Sequence, residues 1–330
     1  MGAWRRETIV GRPDRRDSTT WRFDGQPHGG FYTQDDIREI VAYARARFVT
    51  IVPEIEMPGH SQAAIAAYPE LGNTPATIPV WTRWGVSDNI LNSEDATIRF
   101  YQNVLTEVMA LFPGPWIHVG GDEAVKTQWQ ASARAQARIK ELGLKDEHEL
   151  QSYFIRRMDE FLTAHGRRLI GWDEILEGGL APNAVVMSWR GLEGGIAAAQ
   201  AGHDVVMTPG SHTYFDHYQS QDTTREPLAI GGFLPLDSVY AYEPVPDTLT
   251  AAEARHVLGA QAQLWTEYIP DPKQAEYMAF PRLCALAEVV WTARERKDFG
   301  DFAIRLQPHL RRLGILDVNS RPPSGLPFGQ

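Results

Sequence analysis

The fold is decided by the stretch Trp116-Ile117-His118-Val119-Gly120-Gly121-Asp122-Glu123. It begins as a short apolar run, which is typical of a buried strand, and then breaks at two glycines. Because glycine lacks Cβ, Gly120 and Gly121 allow a sharp turn or a close approach to a ligand. Two adjacent carboxylates follow. They would lie at the carboxyl end of the strand, where parallel α/β proteins hold their active sites.

The two carboxylates are too close in sequence to face each other across a substrate. Adjacent Cα atoms are about 3.8 Å apart, and neighbouring side chains on a strand point to opposite faces. Asp122 and Glu123 are therefore expected to perform different tasks on the same side of a substrate. The alternative is a plain acidic pair at the start of a helix, where carboxylates favour the positive end of the dipole. The preceding His-x-Gly-Gly favours the first interpretation.

Length, composition and charge limit the classes of protein to consider. A chain of 330 residues can bury one barrel-sized core or two smaller ones. The net charge of −10 disfavours nucleic acid and anionic membranes as partners, since both recruit basic patches. No apolar run reaches 18 residues, so no membrane span is predicted. Residues 1–17 lack the apolar middle of a signal peptide, so no export signal is expected there, and the localisation stays open.

Cysteine and tryptophan usage is also informative. The single cysteine, Cys284, excludes an internal disulfide framework and a cysteine-based metal site. It lies in an apolar helical run, which favours an inert buried thiol. Ten tryptophans are more than a core of this size usually needs, and they indicate an aromatic-lined pocket.

Strands and helices alternate along the chain without a dividing linker. This alternation indicates parallel βαβ units. The predicted fold class is α/β, of the (β/α)8 TIM-barrel type, although only about six of the eight strands are recognisable. The predicted domains are an irregular segment at 1–32, the barrel at 33–314 and a tail at 315–330. The predicted strands cover 48–56, 116–119, 168–172, 184–189, 205–207 and 259–267.

The residues that end these strands share a chemical character. In a barrel, the strand ends converge on one mouth. A pyranose packs the apolar face formed by its C–H groups on an indole ring, and its hydroxyls need charged acceptors. The sequence therefore predicts a carbohydrate as binding partner. The strand-end residues are His60, Asp122, Glu123, Trp172, Trp189, Trp265 and Glu267, with Tyr214 and Asp216 following the fifth strand.

Five segments resemble the β-N-acetylhexosaminidases of glycoside hydrolase family 20, in the family's order and over about residues 30–295. The His-x-Gly-Gly-Asp-Glu motif is the most specific of them. The segments are Pro53-Glu54-Ile55-Glu56-Met57-Pro58-Gly59-His60, His118-Val119-Gly120-Gly121-Asp122-Glu123, Gly171-Trp172-Asp173-Glu174, Ser188-Trp189-Arg190-Gly191 and Gln263-Leu264-Trp265-Thr266-Glu267.

The resemblance implies an exo-acting hydrolase that removes a terminal non-reducing N-acetylhexosamine (GlcNAc or GalNAc) with retention of configuration. The nucleophile would be the acetamido carbonyl of the substrate, which forms an oxazolinium ion. Glu123 would be the general acid/base, and Asp122 would orient the acetamido group. Tyr214 would bond the acetamido oxygen. No cofactor or metal is implied.

The resemblance also implies a set of substrate-binding residues around the catalytic three. Three tryptophans would wall the pocket, two carboxylates would bind sugar hydroxyls, and one histidine would support the acidic pair. The tryptophans are Trp172, Trp189 and Trp265, the two carboxylates are Asp216 and Glu267, and the histidine is His60. Chito-oligosaccharides or glycans are the implied substrates, and the oligomeric state stays open.

The sequence departs from the family pattern at its start. The N-terminal α/β domain and the first two barrel strands are not found, and with them an Arg that grips the sugar and an Asp that supports the acid/base. A truncated sequence, a degenerate gene and a gap filled by another chain are the explanations considered. Two other functions stay open: an inactive sugar-binding remnant, and a metal-dependent hydrolase. The latter would use His60, His118, Asp122 and Glu267, although the usual metal-binding spacings are absent.

Overall fold

The computed structural model describes residues 29–82 and 85–322. These residues form two compact units, which meet in sequence between Met187 and Ser188. Most of the predicted irregular segment 1–32 and residues 323–330 of the predicted tail lie outside the described residues. The domain boundaries proposed from the sequence therefore stay a prediction.

The first unit alternates helices with three parallel strands. Strand β1 pairs with β2 in the register Trp116–Arg168 to His118–Ile170, and β2 pairs with β3. Short 3₁₀ turns cover Pro69–Leu71 and Asp173–Leu176. The elements are α1 (Gln34–Arg45), α2 (Gln62–Ala67), α3 (Asp95–Leu111), β1 (Trp116–His118), α4 (Thr127–Ala131), α5 (Ala133–Glu141), α6 (Glu147–Ala164), β2 (Arg168–Trp172) and β3 (Val185–Ser188).

The strand predicted at 48–56 is regular only at its end. Glu54 forms an isolated parallel bridge with His118. Two hydrogen bonds make up this bridge: His118 N–H donates to the Pro53 carbonyl and Ile55 N–H donates to the His118 carbonyl, each at 2.9 Å. Upstream, Val49 N–H donates to the carbonyl of Ala44 in α1 at 3.0 Å and not to a neighbouring strand. Proline at 53 has no N–H to extend the ladder. This short ladder nevertheless aligns the segment that leads to His60 with β1.

Local sequence signals explain where the helices of the first unit begin and which face they bury. Thr33 and Asp36 form a capping box before α1: Thr33 N–H donates to Asp36 Oδ2 at 2.8 Å, and Asp36 N–H donates to Thr33 Oγ1 at 3.1 Å. Helix α3 buries Ile98, Tyr101 and Leu105, the face that its apolar spacing predicts. Local sequence thus sets where α1 begins and which face α3 buries.

The second unit contains two pairs of parallel strands. Strand β4 pairs with β7, with a register shift at Val205–Val206, and β5 pairs with β6. The predicted strand 259–267 ends early, and the chain beyond it retains one parallel bridge between Tyr214 and Gln263. The elements are α7 (Glu193–Gln200), β4 (Val205–Met207), α8 (Gly210–Thr213), β5 (His217–Tyr218), β6 (Gly231–Phe233), α9 (Leu236–Ala241), β7 (Val257–Ala260), α10 (Pro272–Ala279), α11 (Arg282–Trp291) and α12 (Phe299–Ile315).

Two sequence expectations concern helices of the described chain. No helix within residues 29–82 and 85–322 has the length and apolar character needed to cross a bilayer. Cys284 is partly buried in α11, and burial raises the pKa of its thiol to about 11. At neutral pH the thiol is protonated, so it fits the inert role expected of it.

Helix α11 is anchored by a fully buried arginine. Arg282 donates to the backbone carbonyls of His217 (3.1 Å), Leu234 (2.9 Å) and Met278 (2.7 Å), and also to that of Phe215. Its guanidinium carbon lies 5.0 Å from the centroid of the Phe215 ring. Burial lowers the pKa of Arg282 to about 9. The side chain therefore remains a cation at neutral pH and fastens the 215–217 segment to α11.

Replacing this anchor is expected to destabilise the protein. Arg282→Met fills much of the same volume but leaves four carbonyls without their donor, which should cost on the order of 3 kcal/mol in the free energy of unfolding. Urea denaturation of the full chain measures the loss. Arg294→Met, which removes an exposed ion pair with Asp247, is the control and should change little. Equal, small losses in both variants would contradict the anchoring role of Arg282.

Candidate active site

The loop after β1 turns sharply through residues with left-handed backbone angles. Gly120 has φ 69°, Gly121 has φ 96°, and Glu123 has φ 46°. A Cβ at Gly120 would collide with the Glu56 carboxyl, and one at Gly121 would lie 2.6 Å from Ile175 Cγ2. Both glycines are therefore required by conformation and by space, as the sequence predicted. The turn delivers Asp122 and Glu123 beyond the end of the strand.

Asp122 and Glu123 converge on one imidazole. His60 Nε2 lies 3.3 Å from Asp122 Oδ2 and 3.3 Å from Glu123 Oε2. Hydrogen bonds to Asp122 and Glu123 raise the pKa of His60 to about 10, so the ring is an imidazolium at neutral pH. The side chain of Glu123 is 38% exposed and that of Asp122 is 15% exposed. Of the two carboxylates, Glu123 is the more accessible to a ligand.

A second layer of acidic side chains lies beneath this pair. Burial, followed by the charge of Asp122, raises the pKa of Glu56 to about 11, and hydrogen bonds to Glu54 and Asp122 act in the same direction. Glu56 is therefore a neutral carboxylic acid at neutral pH. Trp172 is 2% exposed and donates its Nε1–H to Glu54 Oε1 at 2.8 Å. The acidic layer thus connects Trp172 at the end of β2 with Asp122.

His118 is buried and uncharged, in contrast to His60. Burial lowers its pKa, and Nδ1 accepts a hydrogen bond from Gly120 N–H at 3.0 Å. The ring of Trp172 packs edge-on against it, with centroids 4.8 Å apart. His118 therefore supports the glycine turn from below.

The sequence alone indicated no role for Glu54 and Glu56. The available signal was their i, i+2 spacing at the end of a predicted strand, which places both side chains on one face. Their contacts with Trp172 and Asp122 depend on residues far away in sequence, so the spacing alone does not predict them.

One group of side chains in the described chain could hold a metal ion. It comprises His60, Asp122 and Glu123, whose ligand atoms lie within 4.8 Å of one another. The metal-dependent alternative named His118 as a ligand, but His118 is not in this group.

The second unit brings two of the predicted aromatic residues together. The rings of Trp189 and Tyr214 stack with centroids 6.5 Å apart and an interplanar angle of 27°. The backbone holds both in place, because Gly210 N–H donates to the Trp189 carbonyl at 3.0 Å, and Phe215 N–H donates to the Gln263 carbonyl at 2.8 Å. Trp265 is partly exposed, at 36%.

Asp216 and Glu267 contribute buried carboxylate oxygens that receive no hydrogen bond from another residue of the described chain. Asp216 is 3% exposed, and within the described chain neither of its oxygens has a hydrogen-bond partner in another residue; the same holds for the buried Oε2 of Glu267. Burial raises the pKa of Asp216 to about 7; the charge of Glu267 adds to this, and Arg282 opposes it. Buried polar atoms are normally paired, so both carboxylates are suited to receive donors from a ligand.

Comparison with known proteins identifies close relatives. The chain matches "Glycosyl hydrolase family 20, catalytic domain" over residues 1–294. It is 53% identical over 308 residues to a β-hexosaminidase of Porphyromonas gingivalis, covering 93% of this chain and 40% of that protein. A β-hexosaminidase of Vibrio furnissii is 37% identical over 291 residues, with coverages of 87% and 47%. The chain thus spans about half the length of these relatives.

Solved structures give the same result for the fold. The exo-β-N-acetylglucosaminidase of Vibrio harveyi, solved in complex with N-acetylglucosamine, aligns with a TM-score of 0.80 and 36% identity over 91% of this chain and 47% of that one. This similarity confirms the α/β fold class of the TIM-barrel type. The matched catalytic domain and the relative at 53% identity establish that the chain belongs to glycosyl hydrolase family 20.

Proposed function

We propose that this protein is an exo-acting β-N-acetylhexosaminidase, which hydrolyses a terminal non-reducing N-acetylhexosamine by a retaining, substrate-assisted mechanism. The observation that carries the proposal is the convergence of Asp122 and Glu123 on His60 Nε2, at 3.3 Å each. The Vibrio harveyi relative, solved with N-acetylglucosamine, supports the substrate class.

The arrangement of the carboxylates favours a nucleophile that belongs to the substrate. In a two-carboxylate retaining mechanism the groups lie about 5–5.5 Å apart on opposite sides of the bond. Asp122 and Glu123 instead share one imidazole from the same loop. An attack by the acetamido carbonyl of the sugar on C1 removes the need for a protein nucleophile.

The proposed reaction proceeds in two displacements at C1. In the reacting complex Glu123 carries a proton, which it gives to the glycosidic oxygen as the C1–O bond breaks, and the acetamido oxygen forms a bond to C1. Asp122 accepts a hydrogen bond from the acetamido N–H and stabilises the positive charge of the oxazolinium ion. Water then attacks C1, Glu123 takes its proton, and the acetamido oxygen leaves. Two inversions give overall retention.

His60 and Glu56 prepare Asp122 for its proposed role. The positive charge of His60 offsets the repulsion between neighbouring carboxylates. Glu56 is neutral at neutral pH, so it adds no third charge beside Asp122. His60 thus holds the Asp122 side chain by a contact of 3.3 Å, in the position from which it is proposed to stabilise an oxazolinium ion.

Further sugar contacts are proposed for the carboxylates and aromatic residues named in the sequence analysis. Asp216 and Glu267 have buried carboxylate oxygens with no donor from another residue of the described chain, and sugar hydroxyls are suitable donors. Tyr214 is proposed to donate its hydroxyl proton to the acetamido oxygen. The indole faces of Trp189 and Trp265 are proposed to pack on the sugar. Trp172, which is 2% exposed, is proposed to form the wall of the pocket from its contacts with His118 and Glu54.

Substrate specificity provides the first test. We expect the purified chain to release nitrophenol from nitrophenyl β-N-acetylglucosaminide and not from the matching β-glucoside, which lacks the acetamido group. A thiazoline mimic of the oxazolinium ion should inhibit. Equal rates on the two substrates would contradict acetamido participation. Sugar binding by calorimetry without turnover would select the inactive sugar-binding alternative.

Removing the proton donor provides the second test. Glu123→Gln should lower kcat on the β-N-acetylglucosaminide by about 10²–10⁴-fold, the usual contribution of general acid catalysis. Glu39→Gln, on the exposed face of α1, is the matched control and should leave kcat unchanged. An unchanged rate in Glu123→Gln would refute the assignment.

The charge state of Glu56 predicts a pH-dependent stability. Its pKa is raised from 4.5 to about 11, so between these values the folded protein holds a proton that the unfolded chain releases. This group therefore stabilises the fold below pH 4.5, and its contribution is lost as the pH rises towards 11. Relative to the wild type, Glu56→Gln should gain unfolding free energy between pH 5 and pH 9, measured by urea denaturation. Glu39→Gln is the control and should show no such gain. If the difference in unfolding free energy between Glu56→Gln and the wild type did not change with pH, Glu56 would not be neutral in the folded protein.

A further inference from the structure

The loop that carries Asp122 and Glu123 adopts a conformation that needs outside support. Glu123 has a positive φ of 46°, which costs a non-glycine residue about 1 kcal/mol or more. The preceding Gly120 and Gly121 are the most flexible residue type. Two neighbouring carboxylates also repel each other. A strained backbone of this kind persists only where the surrounding structure fixes it.

Two side chains hold the loop on either side of the acidic pair. Gln151, on α6, is 5% exposed and donates its Nε2–H to the carbonyl of Gly121 at 2.6 Å. Lys126 donates from Nζ to the carbonyl of Ala124 at 2.6 Å, and also to Gln151 Oε1. These carbonyls belong to Gly121 and Ala124, the residues on either side of Asp122 and Glu123. We call the pair Gln151–Lys126 the loop bracket.

Lys126 directs its charge towards neutral groups, although acidic groups lie nearby. The carboxylates that act on it electrostatically are Glu147 of α6, together with Glu174 and Glu177 of the segment after β2. Its Nζ lies 5.9 Å from the centroid of the Trp129 ring. The hydrogen bonds of Nζ nevertheless go to the Ala124 carbonyl and the Gln151 amide. A lysine placed only to balance surface charge would pair with a carboxylate, so this geometry indicates a role in fixing the backbone.

We propose that Gln151 and Lys126 are positioning residues that set the orientation of Asp122 and Glu123 through the backbone on either side of them. This inference rests on the proposed function, since it assigns those two carboxylates to catalysis. Neither Gln151 nor Lys126 needs to contact substrate. Their importance follows from distance, because a displacement of about 1 Å in a catalytic group can lower the rate by about 100-fold.

The proposal predicts a loss of kcat with little change in KM. Gln151→Met and Lys126→Met keep side chains of similar length but remove the hydrogen bonds. Each should lower kcat on nitrophenyl β-N-acetylglucosaminide by about 10-fold to 100-fold and change KM by less than about threefold. Lys126→Arg, which restores a cationic donor, should recover part of the rate. Because the two residues share a hydrogen bond, the double variant should lose less than the product of the single losses.

Matched controls separate positioning from general stability. Gln136→Met removes an amide that donates to the Trp129 carbonyl outside the loop, and Lys140→Met removes an exposed lysine of α5. Both should keep the wild-type kcat. Amide hydrogen exchange, read peptide by peptide, should become faster at 119–126 in the two bracket variants and remain unchanged there in the controls.

The two readouts also separate this proposal from the proposed function. If the wild-type chain shows no turnover, the proposed function fails, and the exchange rates of 119–126 alone decide the role of the bracket. Unchanged exchange in Gln151→Met and Lys126→Met would overturn it. With an active wild type, full kcat in both variants, or a rise in KM at constant kcat, would overturn it as well.

Discussion

The contact between one imidazole and two neighbouring carboxylates is the interaction on which the candidate site depends. At His60 Nε2 the two acidic oxygens lie at equal distances of 3.3 Å, and the histidine is charged because of them. Side chains of adjacent residues in an extended strand point apart, so this convergence requires a non-extended backbone. The left-handed angles at Gly120, Gly121 and Glu123 provide it. The glycines and the acidic pair are thus parts of one geometric requirement.

The degree of burial determines which titratable groups around the candidate site are charged at neutral pH and which are neutral. His60 is partly exposed and lies against carboxylates, which raise its pKa, whereas His118 is buried and its pKa is lowered. Glu56 is buried beside other acids, and its pKa rises to about 11. Desolvation disfavours whichever form is charged, so acids and bases shift in opposite directions. The charge is therefore concentrated at the exposed end of the cluster, where a ligand can reach it.

The parts of the site that could be predicted from sequence are those encoded locally. The apolar run before Gly120 and Gly121 predicts the strand and its turn, and Thr33 with Asp36 predicts the cap of α1. Other important residues act through contacts with segments that are distant in sequence. The Glu56 carboxyl fills the space next to Gly120, and Gln151 donates to the Gly121 carbonyl. Arg282 donates to four backbone carbonyls of the second unit. Their residue types carry no local pattern that distinguishes them from ordinary helix or strand residues. The prediction of a regular strand over 48–56 was wrong for a similar reason, because strand pairing depends on a partner segment and not on apolar content alone; only Glu54 forms a bridge.

The buried carboxylates of Asp216 and Glu267 cost stability, and the sugar contacts proposed for them would offset that cost. Burying an unpaired carboxylate costs several kcal/mol unless a partner compensates. Arg282 is close enough to lower the pKa of Asp216, yet its hydrogen bonds go to backbone carbonyls. Its charge thus moderates the cost of Asp216 through space without occupying the carboxylate oxygens. Those oxygens remain available, and a ligand that brings hydroxyl donors recovers the solvation that folding removed. An arginine that paired directly with Asp216 would occupy the oxygens that are proposed to receive sugar hydroxyls.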